Sequence, residues 1–209
     1  LLLKDADTIK QLSRFEEAEI HLKKSINLNS DNAHVHFMLG NIYYLKGSYW
    51  AAEKEYRNSL KLETNLTYLK NLLFALNAQS KFDVAINECK IILENNSDNH
   101  EICNMLGECY CNKEDFINAE QEFKKAIYLE SSIDTYHINL ANLLIQQNRY
   151  EEAESEYQYL INFDPKNPYY YYYIGNLYSL TKRYNDAEEK YKKSISLDSN
   201  IPIFHYELA

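Results

Sequence analysis

The side chains of this 209-residue chain that could ligate a metal or move a proton are spaced for neither task. His34 and His36 stand two apart, as do Cys109 and Cys111, so on a helix each pair diverges instead of converging on one ion. Cys89 and Cys103 complete the thiols, and no Cys-x-x-Cys occurs. There is no Gly-x-Ser-x-Gly elbow, no glycine loop to cradle phosphate and no His-Glu-x-x-His. Glutamate pairs such as Glu16-Glu17 and Glu151-Glu152 begin helical patterns. Glu19–Lys23, Glu53–Arg57, Glu120–Lys124, Glu188–Lys192 and Glu189–Lys193 are i,i+4 pairs expected on a solvated face. The expectation is a protein that is not an enzyme, with no metal and no cofactor. Asparagine and tyrosine offer a different chemistry. A carboxamide carries one acceptor and two donors and can grip a peptide backbone whatever its side chains. Tyrosine adds contact area and a polar tip.

Composition narrows the setting of these residues. Hydrophobic residues make up 45%, whereas Gly 4 and Pro 3 are too few for a many-turned β sandwich. The net charge of −9 has the wrong sign for a general nucleic-acid binder. No apolar run approaches the ~18 residues of a membrane span. The opening Leu1-Leu2-Leu3-Lys4 lacks a basic n-region and a cleavage site, so no signal peptide is read. An intracellular, cytoplasmic chain with reduced thiols is expected.

A repeat positions everything else. An aromatic-x-x-Ala unit recurs as Phe15…Ala18, Tyr49…Ala52, Phe82…Ala85, Phe116…Ala119, Tyr150…Ala153 and Tyr184…Ala187, in steps of 34, 33, 34, 34 and 34 residues. Upstream lie His36-x-x-Leu39-Gly40-x-x-Tyr43, Leu69-x-x-Leu72-Leu73-x-x-Leu76, Cys103-x-x-Leu106-Gly107-x-x-Tyr110, His137-x-x-Leu140-Ala141-x-x-Leu144 and Tyr171-x-x-Ile174-Gly175-x-x-Tyr178. Spacings of three and four predict two helices per unit, for example 33–46 and 49–62, turning at Lys46-Gly47-Ser48. Small residues such as Gly40 and Ala52 let the two backbones approach.

This pattern resembles the tetratricopeptide repeat. The resemblance covers full units at 33–65, 66–99, 100–133, 134–167 and 168–201, with partial units at 1–32 and 202–209. It implies a single all-α array, a right-handed solenoid of antiparallel helix pairs. Neither end reads as a capping unit, so a segment of a longer array is expected. The usual tryptophan is replaced by His36, Leu69, Cys103, His137 and Tyr171, and the late proline survives only at Pro165.

Counting from the first residue of each full unit, the resemblance places position 4 in the core and positions 2, 5, 6, 9 and 12 towards a concave side. His36, His137 and His205 at position 4 are therefore core residues, as are Cys89 and Cys103. Asn41, Asn142 and Asn176 share position 9, and Asn71 and Asn139 share position 6. At these places the chain resembles the asparagine ladder of the O-linked N-acetylglucosamine transferases, although Phe74 and Glu108 interrupt position 9. In the run Tyr169–Tyr173, Tyr171 is expected to be buried. Tyr169, Tyr172 and Tyr173 are expected to face the groove with Tyr206 and Tyr44, and Trp50 to cover the edge of its second helix. Glu101, Glu108 and Glu207 fall on the same side and favour a neutral or basic partner.

The resulting expectation is a protein-interaction scaffold that holds a partner peptide or helix in its groove, or packs into a multi-subunit complex. No nucleic acid and no membrane are expected. A substrate-recruiting arm of a glycosyltransferase and a secretion or pilus-assembly chaperone are the alternatives.

Overall fold

Apolar residues spaced three and four apart, with few breakers, produce eleven helices among the described residues, 6–199, of the computed structural model. These are α1 (Ala6–Leu28), α2 (Ala33–Leu45), α3 (Tyr49–Leu62), α4 (Leu66–Ala78), α5 (Phe82–Asn95), α6 (His100–Asn112), α7 (Phe116–Leu129), α8 (Asp134–Gln146), α9 (Tyr150–Phe163), α10 (Pro168–Leu180) and α11 (Tyr184–Leu197). Each of the five full units is one helix pair, and the predicted spans 33–46 and 49–62 are met to within a residue. His205 and Tyr206 lie outside the described residues.

Turn chemistry repeats with the helices. The fifteenth residue of each unit is left-handed: Gly47, Ser80, Glu114, Asn148 and Lys182 have φ between 57° and 75°. Gly47 adopts this region freely and Asn148 tolerates it, whereas Ser80, Glu114 and Lys182 do so at a cost. Asparagines begin four first helices. Asn32, Asn65, Asn99 and Asn167 accept from the amides of Val35, Thr67, Ile102 and Tyr169. Four of the chain's 23 asparagines therefore serve as caps.

The chain divides within α5 into two units, one ending at Lys90 and the other starting at Ile91. In the first, Tyr56 lies fully buried against Gly40, and a Cβ on that glycine would stand 2.6 Å from the ring. Leu39, Ala52, Leu72, Leu76 and Ala85 are buried around it. In the second, Phe123 meets Gly107 and Tyr191 meets Gly175 in the same way, with Ala119, Ala153 and Ala187 buried beside them. Glycine is required at these three places because an aromatic ring fills the space of its side chain.

Position 4 is core in all but one full unit. His36 and His137 are buried, each with Nδ1 2.6 Å from a carboxylate (Glu55, Glu156) and Nε2 facing a backbone carbonyl (Ser30, Ser131). Tyr171 departs from this expectation. It is half-buried, its hydroxyl donates to the Pro165 carbonyl, and Lys193 lies over its ring. In its unit the place of Glu55 and Glu156 is taken by Lys190.

The i,i+4 pairs form at Glu19–Lys23, Glu53–Arg57, Glu120–Lys124 and Glu188–Lys192. Glu189 instead pairs with Lys190. Three of these glutamates are not simply solvated. Glu19, Glu53 and Glu120 have side chains 16%, 14% and 17% exposed, and each also reaches into the following helix pair, at Lys46, Lys81 and Arg149. Glu154 does the same with Arg183 at 2.7 Å. Hydrogen bonds from Arg149 and then Lys124 hold the Glu120 carboxyl down at about 2, and Lys23 and Lys46 hold Glu19 there too.

Candidate partner-binding site

Position 9 of the first helix lies one residue beyond the small residue that meets the ring of the second helix. Its side chain therefore emerges beside that ring's edge. Where the ring is tyrosine, the hydroxyl must find an acceptor, and asparagine supplies it. Tyr56, Tyr157 and Tyr191 donate to Oδ1 of Asn41, Asn142 and Asn176 at 2.8, 3.1 and 2.8 Å. Burial raises the pKa of Tyr56 and Tyr157 and keeps their protons in place. With one lone pair of its oxygen engaged and its orientation set by that bond, each carboxamide keeps its NH2 for a further partner.

The units without such a tyrosine lack the asparagine. Cys89 accompanies Phe74, and Phe123 accompanies Glu108. Glu108 Oε1 accepts from Asn104 at 2.9 Å and from Asn139 at 3.0 Å, while Asn139 also donates to Asn104 Oδ1 at 2.9 Å. Asn104 is buried at 6% exposure and holds the network together. Sequence reading did not single it out, because its burial depends on a partner 35 residues away.

Beside this network opens a cavity of about 250 Å³ between α6 and α8, walled by Glu108, Asn112, Asn142 and Gln146 over Phe123 and Leu143. Cys111 also lines it. Burial, with Glu108 and Cys109 adding to it, raises the Cys111 thiol to about 11, so this group is neutral near pH 7. All four cysteines are free thiols, and Cys89, Cys103 and Cys109 are buried.

The other site residues divide. Asn71 donates to the Thr67 carbonyl of its own helix, which removes one of its donors from a partner's reach. Tyr44 is half-buried against Tyr49, ring centroids 5.2 Å apart. Tyr169 is exposed at 43%. Tyr173 is half-buried and stacks on Tyr157 at 5.9 Å. Tyr172, expected in the groove, is instead buried at 9% against Tyr173 and Tyr191. The hydroxyl of Tyr170, likewise buried, donates to Asp134, and burial followed by that carboxylate pushes it up to about 12. Trp50 is exposed at 69%. Among the described residues no helix is long and apolar enough to cross a membrane.

Helix pairs recurring every 34 residues, each with a glycine-or-alanine seam and polar side chains left on the first helix, define a helical-repeat scaffold for protein interaction. The chain belongs to the tetratricopeptide repeat family, whose models match residues 33–65, 100–133, 135–167 and 168–201. The unit 66–99, which lacks the central glycine, falls outside these spans. A sequence comparison with curated proteins gives no significant match.

Among solved structures, the chain is similar to YrrB, described as a TPR protein with an unusual peptide-binding site. The TM-score is 0.56 at 18% identity, over 89% of this chain and 96% of that one. It is similar to yeast Tom70, with TM-score 0.69 and 19% identity over 86% of this chain and 39% of that one. It is also similar to PilF of Pseudomonas aeruginosa, with TM-score 0.62 and 18% identity over 95% and 90%. At these identities the likeness is one of fold. A chain built of tetratricopeptide repeats alone is typical of scaffolds that are not enzymes.

Proposed function

We propose that this chain holds a segment of a partner protein along the first helices of its repeats, through carboxamide donors directed at the segment's backbone carbonyls. The observation that carries this reading is the Tyr–Asn pairing at position 9. In Asn41, Asn142 and Asn176 the hydroxyl fixes the oxygen inward and leaves the NH2 as a preset donor. A donor already oriented loses little entropy when the segment arrives. Tyr44, Tyr169 and Tyr173 add rings with little rotamer freedom. Asn71 and Asn139 stand behind this grip, since donors of both are engaged internally. The partner segment is neutral or basic, because Glu101 and Glu108 are acids of the same first helix. Membership of a larger assembly is compatible with this grip.

The test separates donor from acceptor. Asn142→Asp with Asn176→Asp keeps an oxygen for each tyrosine but removes the NH2. Peptides selected from a displayed decapeptide library on the wild-type chain should bind this variant at least tenfold more weakly with an unchanged melting temperature. Equal binding to both would overturn the reading.

A further inference from the structure

We propose that the cavity between α6 and α8 is a subsite for one arginine side chain of the partner segment, with Glu108 as its counter-charge. The proposal rests on the partner-segment reading above and assigns the chemistry of one place within it.

Four observations converge on this subsite. Glu108 is the single charged residue in the cavity wall, and among the described residues no lysine, arginine or histidine pairs with it. This contrasts with Glu53, Glu120 and Glu154, each of which has an arginine or lysine partner. Its carboxylate is also held in position. Oε1 accepts from two carboxamides, one on the buried Asn104, so the group cannot turn away and Oε2 keeps its lone pairs for a visitor. Phe123 supplies no hydroxyl where Tyr157 and Tyr191 supply one, so the second helix offers Glu108 no donor. Finally, a volume of about 250 Å³ lies below the 300–1,000 Å³ of drug-sized sites and suits one long side chain.

The wall favours arginine over lysine. Asn112 and Gln146 line the same cavity with carboxamides, whose oxygens can accept, and a guanidinium has five N–H groups to share among them and Oε2. A lysine ammonium has three donors and a stronger hydration shell to lose. The floor of Phe123 and Leu143 receives the methylene stem. With Cys111 protonated near pH 7, no second charge opposes or duplicates that of Glu108.

The probe is N-acetyl-L-argininamide, titrated into the 209-residue chain while the side-chain amides of Asn112, Asn142 and Gln146 are followed by NMR. N-acetyl-citrullinamide, of the same shape without charge, is the control. The expected result is saturable shifts at millimolar probe, none with citrulline, a tenfold or greater weakening in Glu108→Gln, and weakening with added salt. Gln146→Arg, at an exposed position, places a tethered guanidinium at the cavity and should abolish the shifts even if Glu108→Gln disturbs the network. Equal shifts with citrulline, or undiminished shifts in both variants, would overturn the subsite. If the displayed library yields peptides sensitive to Asn176→Asp while argininamide gives no shifts, the subsite fails and the grip stands. If argininamide binds but no peptide is selected, the grip fails and the subsite stands.

Discussion

The helix pairs α6/α7 and α10/α11 share a design and differ by one hydroxyl. Both set a glycine, Gly107 or Gly175, under an aromatic ring at the same spacing. In α10/α11 the ring is Tyr191, its hydroxyl takes the oxygen of Asn176, and the open face receives an amide donor. In α6/α7 the ring is Phe123, position 9 becomes Glu108, and the carboxylate recruits Asn104 and Asn139 in place of a phenol. Between these two pairs, a buried hydroxyl accompanies an outward donor and its absence accompanies an anion. The core is specified by shape, and the chemistry of the outer face follows from what that shape leaves unsatisfied.

The comparison can be broken most forcefully at the ring itself. Phe123→Ala should cost about 3–5 kcal/mol in urea denaturation, because the ring is 1% exposed and backbone cannot collapse into its place. Next in size, Gly107→Ala and Gly175→Ala should each cost about 1–3 kcal/mol, since the added Cβ would lie 2.6 and 2.7 Å from ring carbons. Equal costs at the two glycines would establish that shape alone governs this contact.

The hydroxyl can then be exchanged. Tyr191→Phe should lose about 1 kcal/mol. Adding Phe123→Tyr to Glu108→Asn should recover about 1 kcal/mol relative to Glu108→Asn alone, by building a Tyr–Asn pair where none exists. Failure of that recovery would mean that Asn104 and Asn139 require the carboxylate.

Acid separates the pairs by a further, similar amount. The Glu120 carboxyl ionises near 2 when folded, against an ordinary 4.5. Its contribution to stability is therefore complete above about 4.5 and is lost as pH falls through 2. Glu120→Gln should lower stability by roughly 1 kcal/mol at pH 7 and flatten the acid limb of a denaturation-versus-pH series. The smallest effect belongs to the turns. Glu114→Gly and Lys182→Gly, at φ 62° and 63°, should each raise stability by up to about 1 kcal/mol in the same denaturation series.

Periodicity made the helices legible, because a ring and a small residue at fixed separations leave one way to nest. It also made the position-9 asparagines legible as a row, but not the reason for them. Their common feature is a tyrosine fifteen residues later, a relation that appears only when the two helices are folded together. The tyrosine run is less legible for a related reason. The resemblance assigns position 4 to the core, yet Tyr170 and Tyr172 are buried and Tyr171 is not. The slot that suits His36 and His137 carries a glutamate partner from the second helix, and in the unit of Tyr171 the equivalent position is Lys190. Asn104 escaped notice because its partner Asn139 lies 35 residues away on the next first helix.

The bridges from Glu120 to Arg149 and from Glu154 to Arg183 run from one helix pair to its successor with the same offset of 29 residues. The segment 134–167 therefore carries both halves of the joint, an arginine for the pair before it and a glutamate for the pair after. A gene duplication of that segment would arrive with its fasteners already matched, so an array of this kind can lengthen in a single genetic event without new compensating substitutions.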